Sequence, residues 1–199
     1  MYRRWGKRAL DILGAGLLLL LLWPVLLLAA ALVALSLGRP VLFRQQRAGL
    51  AGRPFAILKL RTMRDGPGDD AARLTRLGRL LRASAVDELP QLLQVLRGQM
   101  SLVGPRPLPM AYTPLFTPRQ ALRLAVRPGL CGLAQSMGRN ALPWPARLEW
   151  DARYTGRITL AGDLWIMARC AALLILGQGV AAPGHASMPP LTAAAREDP

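Results

Sequence analysis

ILGAGLLLLLLWPVLLLAAALVALSL, residues 12–37, carries no charged side chain. An apolar run of this length reads as a membrane segment. A cleaved leader fits poorly, because the run exceeds a signal-peptide core and no A-x-A site precedes a polar start. A single spanning helix fits the hydropathy, but two features oppose it. Pro24 sits mid-run; it has no N–H and crowds the preceding turn, so a break or kink is expected there. Both flanks are basic: Arg3, Arg4, Lys7 and Arg8 lead in, and Arg39, Arg44 and Arg47 lead out. Basic flanks favour the cytoplasmic side, and here that applies to both ends. A helix-break-helix that enters, turns at Pro24 and leaves on the same side satisfies both signals. Each half would be roughly 20 Å long at about 1.5 Å per residue, too short for a hydrocarbon core of about 30 Å. The expectation is a re-entrant segment over residues 1–38, with the carbonyl near Leu20 finding a donor inside the protein because lipid has none. A true span is the alternative.

The remaining composition agrees with a membrane surface. The chain has 199 residues, enough for one domain with a real core. It is 52% hydrophobic yet carries a formal charge of +15. That combination points to an anionic membrane, anionic substrates or nucleic acid. Nucleic acid is disfavoured: there is no zinc finger, aromatic RNA platform or basic recognition helix. Arginine supplies nearly all the positive charge, the only lysines being Lys7 and Lys59. Cys131 and Cys170 lack zinc spacing and read as reduced, buried small residues. His185 stands alone in a Pro/Gly/Ala-rich region, without a partner motif.

Past the apolar run, residues 41–46 and 54–60 are β-prone and flank a glycine-containing connection, which signals a hairpin. Residues 65–70, DGPGDD, form a polar loop. Residues 71–83 suit one helix with arginines 73, 76, 79 and 82 at three-residue spacing, either a solvated or membrane-facing stripe or a phosphate site. Residues 87–96 suit a short helix with Leu89, Leu92, Leu93 and Leu96 on its apolar face. Residues 101–109, SLVGPRPLP, cannot continue as helix. A short helix over 118–125, a turn-rich stretch over 127–140 and helices over 145–156 and 163–176 follow. The last fits an interfacial helix and a core helix equally well. The fold class is therefore mainly α with a small β-hairpin, membrane-embedded and monotopic, with interfacial amphipathic helices. Residues 39–180 form the remainder of the same domain, at the cytoplasmic face, and residues 181–199 a loose tail.

Asp87-Glu88 is the most informative pair. Adjacent carboxylates on an opening helical turn point about 100° apart. One can act as a nucleophile while the other holds a divalent cation. Both can equally be plain N-terminal helix carboxylates. Shortly downstream, Val103-Gly-Pro-Arg-Pro fixes the backbone around Arg106, and a rigidly presented guanidinium suits a phosphate oxyanion. Arg127-Pro-Gly and Gly138-Arg-Asn repeat the pattern of arginine beside a turn.

Together these pieces carry a resemblance. In order along residues 7–180 come K-R-x-x-D (7–11), the apolar run broken at Pro24, FRQQRAGL (43–50), KLRTM (59–63), DELPQL (87–92), LRGQMSLVGPRP (96–107), RPGL (127–130) and GRN (138–140). The chain resembles the monotopic phosphoglycosyl transferases, the bacterial sugar transferase family, in its short catalytic form. The resemblance implies transfer of a sugar-1-phosphate from a UDP-sugar to a polyprenyl phosphate with release of UMP, at the cytoplasmic face of the bacterial inner membrane. It implies a ping-pong route with Asp87 as nucleophile, Glu88 as ligand of Mg²⁺, and Arg106 as phosphate clamp. Arg82, Arg127 and Arg139 are further clamp candidates, and Lys59 braces the site or meets lipid headgroups. Asp151 and Asp163 match recurring acidic positions and read as structural ion pairs. Ala85 stands where the family has Ser or Thr, CGLAQ (131–135) where it has TGWAQ, and Trp23 where it commonly has Ser. Partners are then the UDP-sugar, polyprenyl phosphate and membrane lipids, with self-association left open. The rival reading, a membrane-anchored scaffold, leaves this motif series without a purpose.

Overall fold

The computed structural model describes residues 2–177 and 190–192, excluding the side chains of Arg4 and Arg139. His185 and most of the expected C-terminal tail lie outside the described residues. Leu191, within that tail, is buried with Leu108, Trp144 and Leu148, so this part is docked rather than loose.

The apolar run forms one helix, α1 (Lys7–Leu37), which Gly38 ends with a positive φ. It was expected as two helices parted at Pro24; the helical backbone instead continues through the proline. A proline deletes one backbone bond and can be housed without ending the helix. Only 11% of its most apolar window is buried, so α1 is not the core helix of a water-soluble fold. Its exposed side chains include Leu20, Leu21, Trp23, Leu27 and Leu28 around the proline.

The opposite face of α1 lies along the protein body. Ala15 and Leu19 join a core cluster with Leu92, Val95, Met100 and Leu102. Ala29, Val33 and Leu37 join a second with Leu60, Leu81 and Val86. Polar ties secure both ends. Arg8 donates to the carbonyls of Val95 and Leu96 at 2.7 and 2.8 Å. Asp11, 2% exposed, accepts from Ser101 Oγ and Leu102 N–H. At the far end Arg61 donates to the carbonyls of Leu37 and Gly38.

The hairpin is present as β1 (Leu42–Ala48) and β2 (Pro54–Leu60), antiparallel, with Phe43 opposite Lys59. The single helix expected over 71–83 is two, α2 (Asp70–Arg73) and α3 (Arg76–Ala83). Thr75 separates them, because its hydroxyl accepts from Gly78 N–H and starts a new helix. The helix expected over 87–96 begins later, as α4 (Gln91–Leu96), after a separate 3-10 turn at Val86–Glu88. Its apolar face is also rotated. Leu92 and Val95 are buried, but Leu93 and Leu96 are exposed and Gln94 is interior. The Gln94 amide bonds Leu58 N–H and the Ala56 carbonyl of β2, which satisfies a polar side chain in the core.

Two three-residue strands, β3 (Ser101–Val103) and β4 (Gly129–Cys131), pair in parallel. Between them comes α5 (Pro118–Ala121), opened by a capping box from Thr117 and Gln120. The chain then forms α6 (Leu133–Ser136), α7 (Trp144–Gly156) and α8 (Leu160–Ile175). Helix α8 combines both expectations for it. Ile166, Cys170 and Leu173 face the core, while Leu160, Leu164, Trp165 and Ile175 are exposed. Asp163 on α8 is fully buried and receives Tyr2 Oη, Lys7 Nζ and Tyr154 Oη, pinning the N-terminus to α7 and α8.

Candidate active site

The site starts from a chain reversal. After α3, Ala85 takes a left-handed conformation at φ 55°, uncommon for a residue with a Cβ. The turn Val86–Glu88 follows, and Pro90 then leads into α4. Asp87 and Glu88 therefore sit on a tight 3-10 turn, not in the first turn of an α-helix as expected. The turn lets them take different surroundings.

Glu88 is held by two cations. Lys59 Nζ reaches Oε1 at 2.6 Å from β2, and Arg106 places Nη2 at 2.5 Å from Oε1 and Nη1 at 3.3 Å from Oε2. Burial alone would raise the Glu88 pKa, but the Arg106 guanidinium and the Lys59 ammonium outweigh it and hold the carboxyl below its usual range. Asp87 is the opposite case. It is 4% exposed and makes no hydrogen bond among the described residues. Burial, then the adjacent Glu88 charge, pushes its pKa up to about 6. The pair thus consists of one neutralised carboxylate and one desolvated, under-bonded one, the division expected when two carboxylates do different work.

The Arg106 loop is rigid for identifiable reasons. Gly104 packs against the backbone of the β4 approach, where an added Cβ would stand 2.4 Å from the Arg127 carbonyl oxygen. Gly104 N–H donates to the Cys131 carbonyl, and Gly129 N–H to the Pro105 carbonyl. Arg123 donates to the Arg106 carbonyl at 2.6 Å and pairs with buried Asp151 at 2.8 Å. Arg47 reaches the Pro107 carbonyl at 3.3 Å. Asp151 and Asp163 are the structural ion pairs expected of them.

A cleft open to solvent adjoins this cluster; Arg82, Glu88, Arg106, Gln135, Asn140 and Arg147 are among its lining residues. Arg82 is steadied by Thr62 Oγ1 at 3.0 Å. Arg147, unforeseen, stacks over Trp144 at 4.9 Å, and burial followed by repulsion from Arg106 lowers its pKa to about 10. It stays charged at neutral pH, so the cleft presents several cations suited to a diphosphate. Lys59, Glu88, Arg106 and Arg82 are brought together as expected. Arg127 is not: it is exposed and donates to the Gly98 carbonyl at 2.8 Å. The Arg139 side chain lies outside the described residues. Gln135 ends the CGLAQ stretch and Asn140 the GRN turn, so both lie inside motifs that the sequence marks, whereas Arg147 carries no signal of its own.

A family model described as bacterial sugar transferase matches residues 2–177. The chain belongs to this family. It is 44% identical over 185 residues to the uncharacterized sugar transferase EpsL of Bacillus subtilis, covering 90% of this chain and 92% of that one. It is 54% identical over 145 residues to the UDP-glucose:undecaprenyl-phosphate glucose-1-phosphate transferase of Caulobacter vibrioides, covering 66% and 54%. It is 34% identical over 187 residues to the UDP-N-acetylgalactosamine-undecaprenyl-phosphate N-acetylgalactosaminephosphotransferase of Aeromonas hydrophila, covering 87% and 44%. The chain thus spans most of the Bacillus relative but about half the length of the other two. As a bacterial sugar transferase it is an enzyme, and its long, largely uncovered apolar helix is compatible with membrane association.

Proposed function

We propose that this sugar transferase moves a sugar-1-phosphate from a UDP-sugar to undecaprenyl phosphate, with Asp87 as the covalent nucleophile. The observation that carries the proposal is the buried Asp87 carboxylate without a hydrogen-bond partner among the described residues, beside a cleft lined with guanidinium groups. An ionised carboxylate so poorly solvated is poised to bond an electrophile. Relatives named for UDP-glucose and UDP-N-acetylgalactosamine donors supply the substrate class.

In the first step Asp87 attacks the sugar-linked phosphorus. The bond to the bridging oxygen breaks, UMP leaves, and a phosphosugar stays on the carboxylate. In the second, an oxygen of the lipid phosphate attacks the same phosphorus, giving a lipid diphosphate sugar and restoring Asp87. Arg106, Arg82 and Arg147 neutralise the phosphates as they enter. Lys59 and Arg106 together offset the Glu88 charge, which would otherwise repel the donor.

Magnesium fits these residues. Mg²⁺ asks for one or two carboxylates plus phosphate oxygens. Asp87 makes no hydrogen bond among the described residues, and Glu88 Oε2 has only the 3.3 Å contact from Arg106. Glu88, with Asp87 beside it, would hold the ion, which supplies charge neutralisation on the donor diphosphate.

The same reading makes the protein monotopic. A straight helix as long as α1 would reach about 46 Å at 1.5 Å per residue. Both of its ends are tied to one charged body and its inner face packs on that body, so a crossing would drag the body into lipid. A re-entrant path bent at Pro24, with both ends at the cytoplasmic face of the inner membrane, keeps the body in water and the exposed leucines in lipid. The active site then lies where a soluble donor meets a lipid acceptor.

The test is release of UMP from a panel of UDP-sugars, with undecaprenyl phosphate and Mg²⁺ present. Wild type is expected to turn over at least one donor, chelation to stop it, and Asp87→Asn to abolish it. Full UMP release by Asp87→Asn would reject the nucleophile.

A further inference from the structure

Leu191 lies beyond residues 2–177, the stretch that the family model matches, yet it is only 4% exposed. It shares one buried apolar cluster with Leu108, Trp144 and Leu148, and Tyr112, Leu115 and Phe116 pack against that cluster. Two of these residues support the cationic side of the cleft. The Trp144 ring carries the Arg147 guanidinium at 4.9 Å, and Arg147 lines the cleft. Leu108 stands two residues from Arg106, which also lines the cleft, and its carbonyl accepts from Ala48 N–H at 3.0 Å. The two supports are unequal. The Arg106 loop has polar ties of its own, from Arg123 to the Arg106 carbonyl and from Arg47 to the Pro107 carbonyl. Beyond its ring contact, the Arg147 guanidinium has a contact of 3.5 Å to Asn140 Oδ1, at the outer limit of a hydrogen bond. The Trp144 ring in turn meets Tyr112 edge-on at 5.7 Å. Packing around Trp144 therefore sets where Arg147 stands.

We propose that Leu191 is a positioning residue for the donor: it completes the apolar cluster that fixes the Trp144 ring, and so holds Arg147 where it meets the donor diphosphate. Among the described residues Leu191 does not line the cleft, so it acts through Trp144 and not on the substrate. The coupling is steric. Removing the branched end of a buried leucine leaves a space into which its neighbours relax only in part. A ring beside that space is less confined, and the guanidinium stacked on it moves with it. Charge-assisted hydrogen bonds to phosphate depend on short, directed contacts, so a small displacement of Arg147 loses affinity. The Arg106 loop, tied by its own hydrogen bonds, moves less. Residues 190–192 thus serve donor binding as well as packing. The proposal rests on reading this cleft as the donor site.

The experiment titrates the full chain in detergent with UDP and Mg²⁺ by calorimetry. Leu191→Ala should raise the UDP Kd about 10-fold, the worth of one charge-assisted hydrogen bond. Partial unfolding would lower the binding stoichiometry and leave Kd unchanged, so Kd separates positioning from stability. Leu191→Met, which conserves volume, should stay within about twofold of wild type. Leu191→Val, a smaller truncation, should raise Kd about threefold, which keeps the series readable if alanine prevents folding. Arg147→Gln should weaken UDP about 10-fold. Adding Leu191→Ala to it should cost less than about twofold more, because both changes act through one contact. A second readout needs no nucleotide. Phenylglyoxal, mapped by peptide mass, should modify Arg147 several-fold faster in Leu191→Ala or Leu191→Val than in wild type. An unchanged Kd in the truncated variants, full losses that multiply in the double variant, or equal labelling of Arg147 would overturn the proposal. If wild type binds no UDP, the donor-site reading fails, and the labelling of Arg147 alone decides whether Leu191 positions it.

Discussion

In the proposed mechanism, a division of labour between two neighbouring carboxylates decides the chemistry. Asp87 and Glu88 differ because Lys59 and Arg106 form their ion pairs with Glu88, while Asp87 feels their charge without bonding them. Two outcomes follow from the raised Asp87 pKa. Attack needs the ionised carboxylate, so the donor half-reaction should rise with pH through about 6 and level off above it, measured as single-turnover UMP release. Stability runs the other way. An unfolded Asp ionises near pH 4, so between about 4 and 6 the folded chain holds the extra proton and raising the pH costs stability. Above pH 6 that cost is complete, on the order of 3 kcal/mol. Asp87→Asn should therefore melt higher than wild type at pH 7 and alongside it at pH 4, while being inactive. Equal melting at pH 7 would show that burial of Asp87 is not costly. At this scale the sequence was informative where motifs were dense: Asp87, Glu88, Lys59 and Arg106 meet. It misled at Arg127, whose Pro-Gly turn looks like that of Arg106 but faces the Gly98 carbonyl. Arg147 was missed because one arginine in an ordinary helical pattern carries no mark of the aromatic ring that seats it.

Among the elements, two β-prone runs around a glycine-containing connection made the hairpin legible. The parallel pair β3–β4 was not, since three-residue strands have too few positions to show a period. The rotated face of α4 has a related cause. Gln94 looks like a surface residue until β2 supplies unpaired backbone groups for its amide. The pair β3–β4 nevertheless controls the site, because Arg106 leaves directly from it. Gly104→Ala would force a Cβ against the Arg127 carbonyl, at 2.4 Å in the present geometry. The cost should be about 1–3 kcal/mol of stability from overpacking. The displaced Arg106 loop should lower UMP release about 100-fold, as expected for ångström-scale misplacement. A variant with normal activity and melting would show that the close approach does not position the guanidinium.

For the whole molecule, the apolar run and its two basic flanks announced a membrane helix, and the fold adds that both ends are tied to one body. Pro24 does not end the helix, a point that sequence could not decide because a housed proline and a helix-breaking proline look alike. Single cysteines replacing Arg4 and Arg44 in intact cells should respond alike to a membrane-impermeant maleimide, both becoming reactive only after the inner membrane is opened. Reaction of one from outside and the other from inside would mean a true crossing. The mixed face of α8 fits the same picture, with Trp165 and Ile175 outward and Cys170 inward.

The most direct measurement incubates purified protein with a competent UDP-sugar alone, then digests it and weighs the peptide spanning residue 87. The expected result is a phosphosugar mass on Asp87, equal in amount to the UMP released and lost when undecaprenyl phosphate is added. Active protein that never carries this mass would contradict the covalent mechanism.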